Sequence, residues 1–144
     1  MIYLDTSVLL IYTLTQSIEV ERFRAVDKLF SKITSGTIPA ATSFYALHEV
    51  YVFALENSPD PETGYAFGKL ALERILGSPL RILPFASRTE RTRIGRRFAV
   101  LRDPSDIPHA IAAYLAKCEA IVAHDDHFKA ITHIIPYKTP ADYL

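Results

Sequence analysis

The sequence predicts an α/β fold: a three-layer α/β/α sandwich around a short parallel sheet. Two observations predict it. Short apolar runs alternate with longer stretches of helical periodicity, which is the pattern of repeated strand–helix units. The chain has 144 residues, with no repeat, low-complexity tract or long linker to divide it, so residues 1–144 read as one domain. Right-handed crossovers between parallel strands then place helices on both faces of the sheet.

Met1 to Leu4 is a short apolar run that stops at Asp5, and it reads as the first strand. Thr6 or Ser7 can cap a helix running to about Gln16. Val20, Phe23, Val26, Leu29, Phe30 and Ile33 recur at helical spacing, so residues 19–35 read as an amphipathic helix closed by Gly36. Thr37 to Thr42 makes a second strand, and Ser43 opens an apolar helix to about Glu56. Pro61 starts the next helix, which ends near Gly77. Leu80 to Phe85 reads as a strand. Ser87 and Glu90 have the spacing of a capping box, which starts a helix running to about Leu101. Pro104 and Ser105 reset the chain before a helix at 106–117. Ala120 to Ala123 and Ile134 to Pro136 complete the strands.

Apolar residues make up 49% of the chain and charged residues 22%, a globular composition. The formal charge is zero, which excludes a globally basic nucleic-acid binder but not a local basic face. No apolar run reaches the ~18 residues of a membrane span. Asp5 interrupts the N-terminal apolar stretch and no basic residues precede it, which argues against a signal peptide. The single cysteine, Cys118, precludes an internal disulfide and fits a reducing cytoplasm.

Several acids sit where the fold does not require them. Asp5 ends an apolar strand, although an ordinary helix N-cap accounts for it equally well. Glu49 is harder to place. Ten of the twelve residues from Phe44 to Leu55 are apolar, and only His48 and Glu49 interrupt. A carboxylate on so apolar a helix must be paired, protonated or bound to a cation, unless His48 and Glu49 mark a narrow solvated stripe. Asp106 begins an apolar helix that Asp103 or Ser105 can cap without it, and His109 lies on the same helix face. Asp125 and Asp126 follow a strand, where a polar turn is the plain alternative.

In open α/β sheets, sites gather beyond the carboxyl ends of the strands, and these acids fall at or near such ends. Carboxylates converging there repel one another unless a cation neutralises them. Their hard oxygens, without a Cys/His cluster at zinc spacing, favour Mg²⁺ or Mn²⁺. Mg²⁺ bridges carboxylates to phosphate oxygens, so the implied chemistry is phosphoryl transfer or hydrolysis.

The ordered set of motifs resembles the PIN-domain nucleases, and within them the VapC-like toxins of toxin–antitoxin pairs. The resemblance covers nearly the whole chain. It rests on Met1 to Leu10 with Asp5-Thr6-Ser7, on the Glu49 helix, and on Asp106-Ile107-Pro108-His109-Ala110. It also rests on Val122 to Phe128 and on the close Thr139-Pro140-Ala141-Asp142-Tyr143-Leu144. It implies that Asp5, Glu49, Asp106 and Asp125 are the acidic quartet that binds Mg²⁺ or Mn²⁺ and hydrolyses RNA. It also implies that Thr6 and Ser7 support that site, and that the protein, expected in the cytoplasm from its cysteine usage, is a homodimer with an antitoxin partner. In relatives the last motif often reads Thr, any residue, Asp, any residue, Asp, Phe. Here it reads Ala123-His124-Asp125-Asp126-His127-Phe128, so His127 replaces the trailing acid and either Asp125 or Asp126 is the fourth ligand. Asp103 competes weakly with Asp106.

Six arginines lie between Arg88 and Arg102, and Arg93, Arg96 and Arg97 cluster on a helical wheel. Arginine favours bidentate phosphate contact and stacking on bases, so these three are candidate RNA contacts. A solvated helix face, or pairing with an acidic antitoxin tail, is the alternative. Ile11, Tyr12, Leu14, Ile18, Val20 and Phe23 can form a dimer face, but plain core accounts for most of them.

Two other classes compete. One is a catalytically inactive PIN-like module that holds RNA or protein without cutting. The other is a phosphoryl-transfer or receiver-type domain with Asp5 as nucleophile. A dehalogenase-like phosphatase wants a second Asp at position 7, where this chain has Ser7.

Overall fold

Strands no longer than four residues alternate with helices through the whole chain. The computed structural model describes every residue from Met1 to Leu144. In order, the elements are β1 (Ile2–Leu4), α1 (Thr6–Thr13), α2 (Val20–Thr34), β2 (Ala40–Ser43), α3 (Phe44–Glu56) and α4 (Pro61–Leu76). There follow β3 (Arg81–Leu83), α5 (Arg88–Gly95), α6 (Asp106–Leu115), β4 (Ala120–Val122) and β5 (Tyr137–Lys138). Short 3-10 helices occupy Arg96–Phe98, Asp126–Ile131 and Pro140–Tyr143. All five strands are parallel, in the order β3-β2-β1-β4-β5.

The period-two alternation of the central strands builds the three layers. Ile2 and Leu4 of β1, with Ala40, Ala120 and Val122, face a core shared with α1, α2, α3 and α4. Tyr3, Ala41 and Ile121 point the other way, into a second core with Ile94, Phe98, Ile111, Phe128 and Ile131. Both faces are covered, which is why these strands read as apolar runs rather than alternating ones. The α3–α4 pair packs closely because a glycine faces it. A Cβ on Gly68 would sit 2.6 Å from the Tyr51 ring.

The predicted strand–helix order holds, and the differences lie at element ends and in the position of the last strand. The first helix stops at Thr13, because the N–H groups of both Leu14 and Thr15 return to the Leu10 carbonyl. β2 begins at Ala40 rather than Thr37. Gly36 takes φ +76°, and the N–H groups of Thr37 and Ile38 turn back onto the Lys32 carbonyl. The helix expected to reach Leu101 ends at Gly95 and passes into a 3-10 turn. The final strand is Tyr137–Lys138, not Ile134 to Pro136. Ile134 and Ile135 both bond to the Ile131 carbonyl, so they finish a turn and serve the core rather than the sheet. In the candidate dimer face, Ile11 is buried and the Tyr12 ring stacks on Phe30, whereas Ile18 and Val20 are exposed. No helix is long and apolar enough to cross a membrane.

Candidate metal centre

The carboxyl end of the sheet collects the acids singled out in the sequence. Asp5 follows β1 directly and is the N-cap of α1, so its two readings coexist. Its Oδ2 accepts the Ser7 N–H at 3.0 Å and the Ser7 hydroxyl at 2.7 Å. Its Oδ1 is left facing the site, 3.5 Å from Nε2 of His109. Ser7 Oγ in turn accepts the His124 N–H at 3.0 Å, which ties the loop after β4 to the start of α1.

Glu49 projects from α3 beside the exposed His48 and is itself half-buried. Its Oε1 lies 2.5 Å from His109 Nε2 and accepts the Thr6 hydroxyl at 2.7 Å. Thr6 and Ser7 therefore each hold one of the acids. A carboxylate only accepts, so His109 Nε2 carries the proton. His109 is 2% exposed, and its Nδ1 meets the Tyr3 hydroxyl at 2.7 Å. Tyr3 continues to Ser43 Oγ at 2.7 Å, and Ser43 caps α3 through the Ala46 N–H. A buried hydrogen-bonded chain thus crosses the site from β2 to α3.

Asp106 opens α6 and is 6% exposed. Asp103 organises the approach, with its Oδ1 accepting the N–H and hydroxyl of Ser105. His127 Nδ1 lies 3.2 Å from Asp106 and 3.1 Å from Asp125. It is the common corner of two tight donor groups, Asp103–Asp106–His127 and Asp125–Asp126–His127, each with ligand atoms within 4.8 Å of one another. Asp5 and Glu49 belong to neither group and meet at His109. Asp126 is 71% exposed and pairs only with Lys129 at 3.8 Å.

The electrostatics follow from this placement. Burial pushes the Asp106 carboxyl up to about 6, the His127 hydrogen bond opposes it, and the charges of Asp125, Asp103 and Asp5 add to it. Burial pushes His109 down, but the Glu49 hydrogen bond and the charges of Asp5, Glu49 and Asp106 outweigh it, so the imidazole is raised. The hydrogen bond to Asp106, then the charge of Asp125, raises His127. The Tyr45 hydroxyl is raised by burial, then by Glu49, Asp103 and Asp106. No Lys or Arg lies within ion-pair distance of Asp5, Glu49, Asp106 or Asp125; the two imidazoles, when protonated, are their only cationic partners. This under-compensated set of hard oxygen donors fits a divalent cation.

His109, His127 and Tyr3 complete the site. His109 was visible in the sequence as a residue on the Asp106 face, and His127 as the departure from the last motif. Tyr3 gives no signal beyond a hydroxyl in a buried strand.

Of the candidate RNA contacts, Arg93 and Arg96 line an open groove with Arg88, Thr89 and Thr92, about 490 Å³ in volume. Arg97 points elsewhere. It donates to the Tyr114 hydroxyl at 2.8 Å, with its guanidinium 5.2 Å from the ring centre.

The architecture is an α/β fold shared with VapC and VapBC toxin structures. FitAcB from Neisseria gonorrhoeae has a TM-score of 0.67 and 19% identity, covering 97% of this chain and 98% of that one. VapC20 from Mycobacterium tuberculosis, a sarcin-ricin loop cleaving toxin, has a TM-score of 0.65 and 16% identity, over 91% of this chain and 95% of that one. VapBC2 from Rickettsia felis, bound to a DNA fragment from its promoter, has a TM-score of 0.61 and 18% identity, over 96% and 98%. No protein-family profile and no curated protein matches the sequence. At this identity the likeness establishes the shared fold.

Proposed function

We propose that the protein is a divalent-metal-dependent ribonuclease and the toxin of a toxin–antitoxin pair. The observation that carries the reading is the set of four acids at the carboxyl end of the sheet, with His109 and His127 as their only ion-pair partners, on a fold shared with a sarcin-ricin loop cleaving toxin.

Asp5, Glu49, Asp106 and Asp125 hold Mg²⁺ or Mn²⁺, with Thr6 and Ser7 fixing the first two. A cation bound there supplies Lewis-acid stabilisation of the phosphodiester and activation of water. The chain's own residues do the rest. Ser7 holds Asp5 in one rotamer. The Tyr3–His109 chain orients Glu49, as outer partners orient ligands in metal sites generally. In their protonated forms His127 and His109 would offset the acids' charge, and a bound cation would lower the affinity of both for that proton. Arg93 and Arg96 receive the phosphate backbone. The protein acts in the cytoplasm as a homodimer with a cognate antitoxin, a partnership supported by the VapBC complexes that share its fold.

The test is incubation of purified, partner-free protein with a pool of structured RNAs in Mg²⁺, Mn²⁺ or EDTA. Cleavage confined to the metal lanes is expected. Salt-sensitive RNA retention by folded protein without cleavage in any lane would replace the nuclease with the catalytically inactive binding module.

A further inference from the structure

A semi-enclosed cavity of about 200 Å³ lies beside the acids, across Tyr45 from them. Tyr45, Pro84, Phe85, Pro108 and Ile111 form its walls, and Arg91 stands on its rim. The Tyr45 ring packs 5.1 Å from the His109 ring, and Tyr45 also lines the cleft that contains Thr6 and Glu49. One aromatic side chain therefore separates the cavity from the candidate metal centre. At the cavity mouth the Phe85 ring is 65% exposed and lies nearly parallel to Phe44, itself 51% exposed, with ring centres 6.3 Å apart. Neither ring belongs to either buried core.

The geometry points to this cavity as a nucleobase subsite. One base of the RNA strand leaves its stack and enters between Tyr45 and Phe85, while Arg91 meets the adjoining phosphate. The inference rests on the ribonuclease reading and assigns that site a base-selecting pocket.

Three features favour a base over a protein side chain as the occupant. Sites for drug-sized ligands run to roughly 300–1,000 Å³, so this smaller space suits a single ring system. Its rim is cationic. The same segment, α5 and the 3-10 turn after it, carries the groove of Arg88, Arg93 and Arg96, which complements a polyanion leading into the cavity. Finally, exposed parallel aromatic rings beside a reaction centre are the usual platform for an unstacked base.

The test uses protein carrying Asp5→Asn and Asp106→Asn, so that bound RNA survives. Short single-stranded oligoribonucleotides carry fluorescent aminopurine at successive positions. Quenching is expected at one position. Phe85→Ala should abolish it and weaken binding by roughly 5- to 150-fold, from the usual worth of one stacked base. Phe85→Tyr should restore both, and an abasic nucleotide at that position should reproduce the loss. Because Phe85 is largely exposed, its truncation leaves the core intact. Quenching and affinity unchanged in Phe85→Ala would overturn the subsite. So would unchanged RNA binding accompanied by loss of a copurifying protein partner, which would assign the cavity to a protein side chain. Cleavage of the same oligonucleotides by protein with native acids separates the two claims. Cleavage without Phe85-dependent quenching removes only the subsite. Phe85-dependent quenching without cleavage removes only the nuclease.

Discussion

Nε2 of His109 lies 2.5 Å from Oε1 of Glu49, although the two residues are sixty positions apart, on a helix that follows β2 and on one that precedes β4. The contact joins α3 to α6 across the carboxyl end of the sheet. It makes a 2%-exposed imidazole the meeting point of Glu49, Asp5, Thr6 and Tyr3.

Removal of that imidazole should cost stability. His109→Ala leaves the Tyr3 hydroxyl and two facing carboxylates without their shared partner, a loss of about 2–4 kcal/mol. Urea denaturation in EDTA measures it. Added Mg²⁺ should recover part of the loss, since a cation replaces the missing positive charge.

The pH dependence has a definite sign. Asp106 is raised from 3.8 to about 6, so the folded protein holds a proton that the unfolded chain releases earlier. His109 is raised as well and acts in the same direction. Their contribution is full below the unfolded pKa values and is lost as pH rises through the folded ones. For Asp106 that window runs from about 4 to about 6, and its contribution is of the order of 3 kcal/mol at most. Metal-free protein should therefore melt higher at pH 5 than at pH 8. Asp106→Asn should flatten the profile and raise the melting temperature at pH 8.

Orientation favours Asp125 over Asp126 as the fourth acid of the proposed site. Asp125 Oδ2 faces His127 beside Asp106, whereas Asp126 points to solvent and Lys129. Asp125→Asn should lower metal affinity or cleavage about 10-fold or more. Asp126→Asn should leave both within about two-fold, by the small worth of exposed ion pairs. Metal titration followed by cleavage rates on both variants checks the pair.

The arginines separate into two kinds. Arg93→Ala and Arg96→Ala should each weaken binding of single-stranded RNA and reduce the slope of log affinity against log salt by about 0.7. Arg97→Ala should leave that slope unchanged and cost stability of about 0.5–1 kcal/mol through lost contact with Tyr114. Filter binding across a salt series, with a melt of each variant, distinguishes them.

Much of this was legible because local signals agree with the tertiary ones. Ser43, Pro61 and the Ser87–Glu90 pair start helices where capping chemistry places them, and the buried strands show as apolar runs. The last strand was misplaced because Ile134 and Ile135 satisfy a buried core from a turn, and apolar periodicity cannot distinguish the two. The acids were visible as charge in apolar surroundings. Their partners were less so. Tyr3 and His109 meet only through a separation of 106 residues, which no local pattern encodes. Arg97 clusters with Arg93 on a wheel, yet the helix ends at Gly95, and the 3-10 turn that follows carries Arg97 to Tyr114.

The most direct measurement is single-turnover cleavage of RNA by the wild-type chain and by Asp5→Asn/Asp106→Asn, each confirmed folded, in Mg²⁺, Mn²⁺ and EDTA. Cleavage by the wild type that requires metal and disappears in the double variant is the expected result. Cleavage that persists in EDTA, or in the folded double variant, would contradict a reaction carried by a metal on these acids.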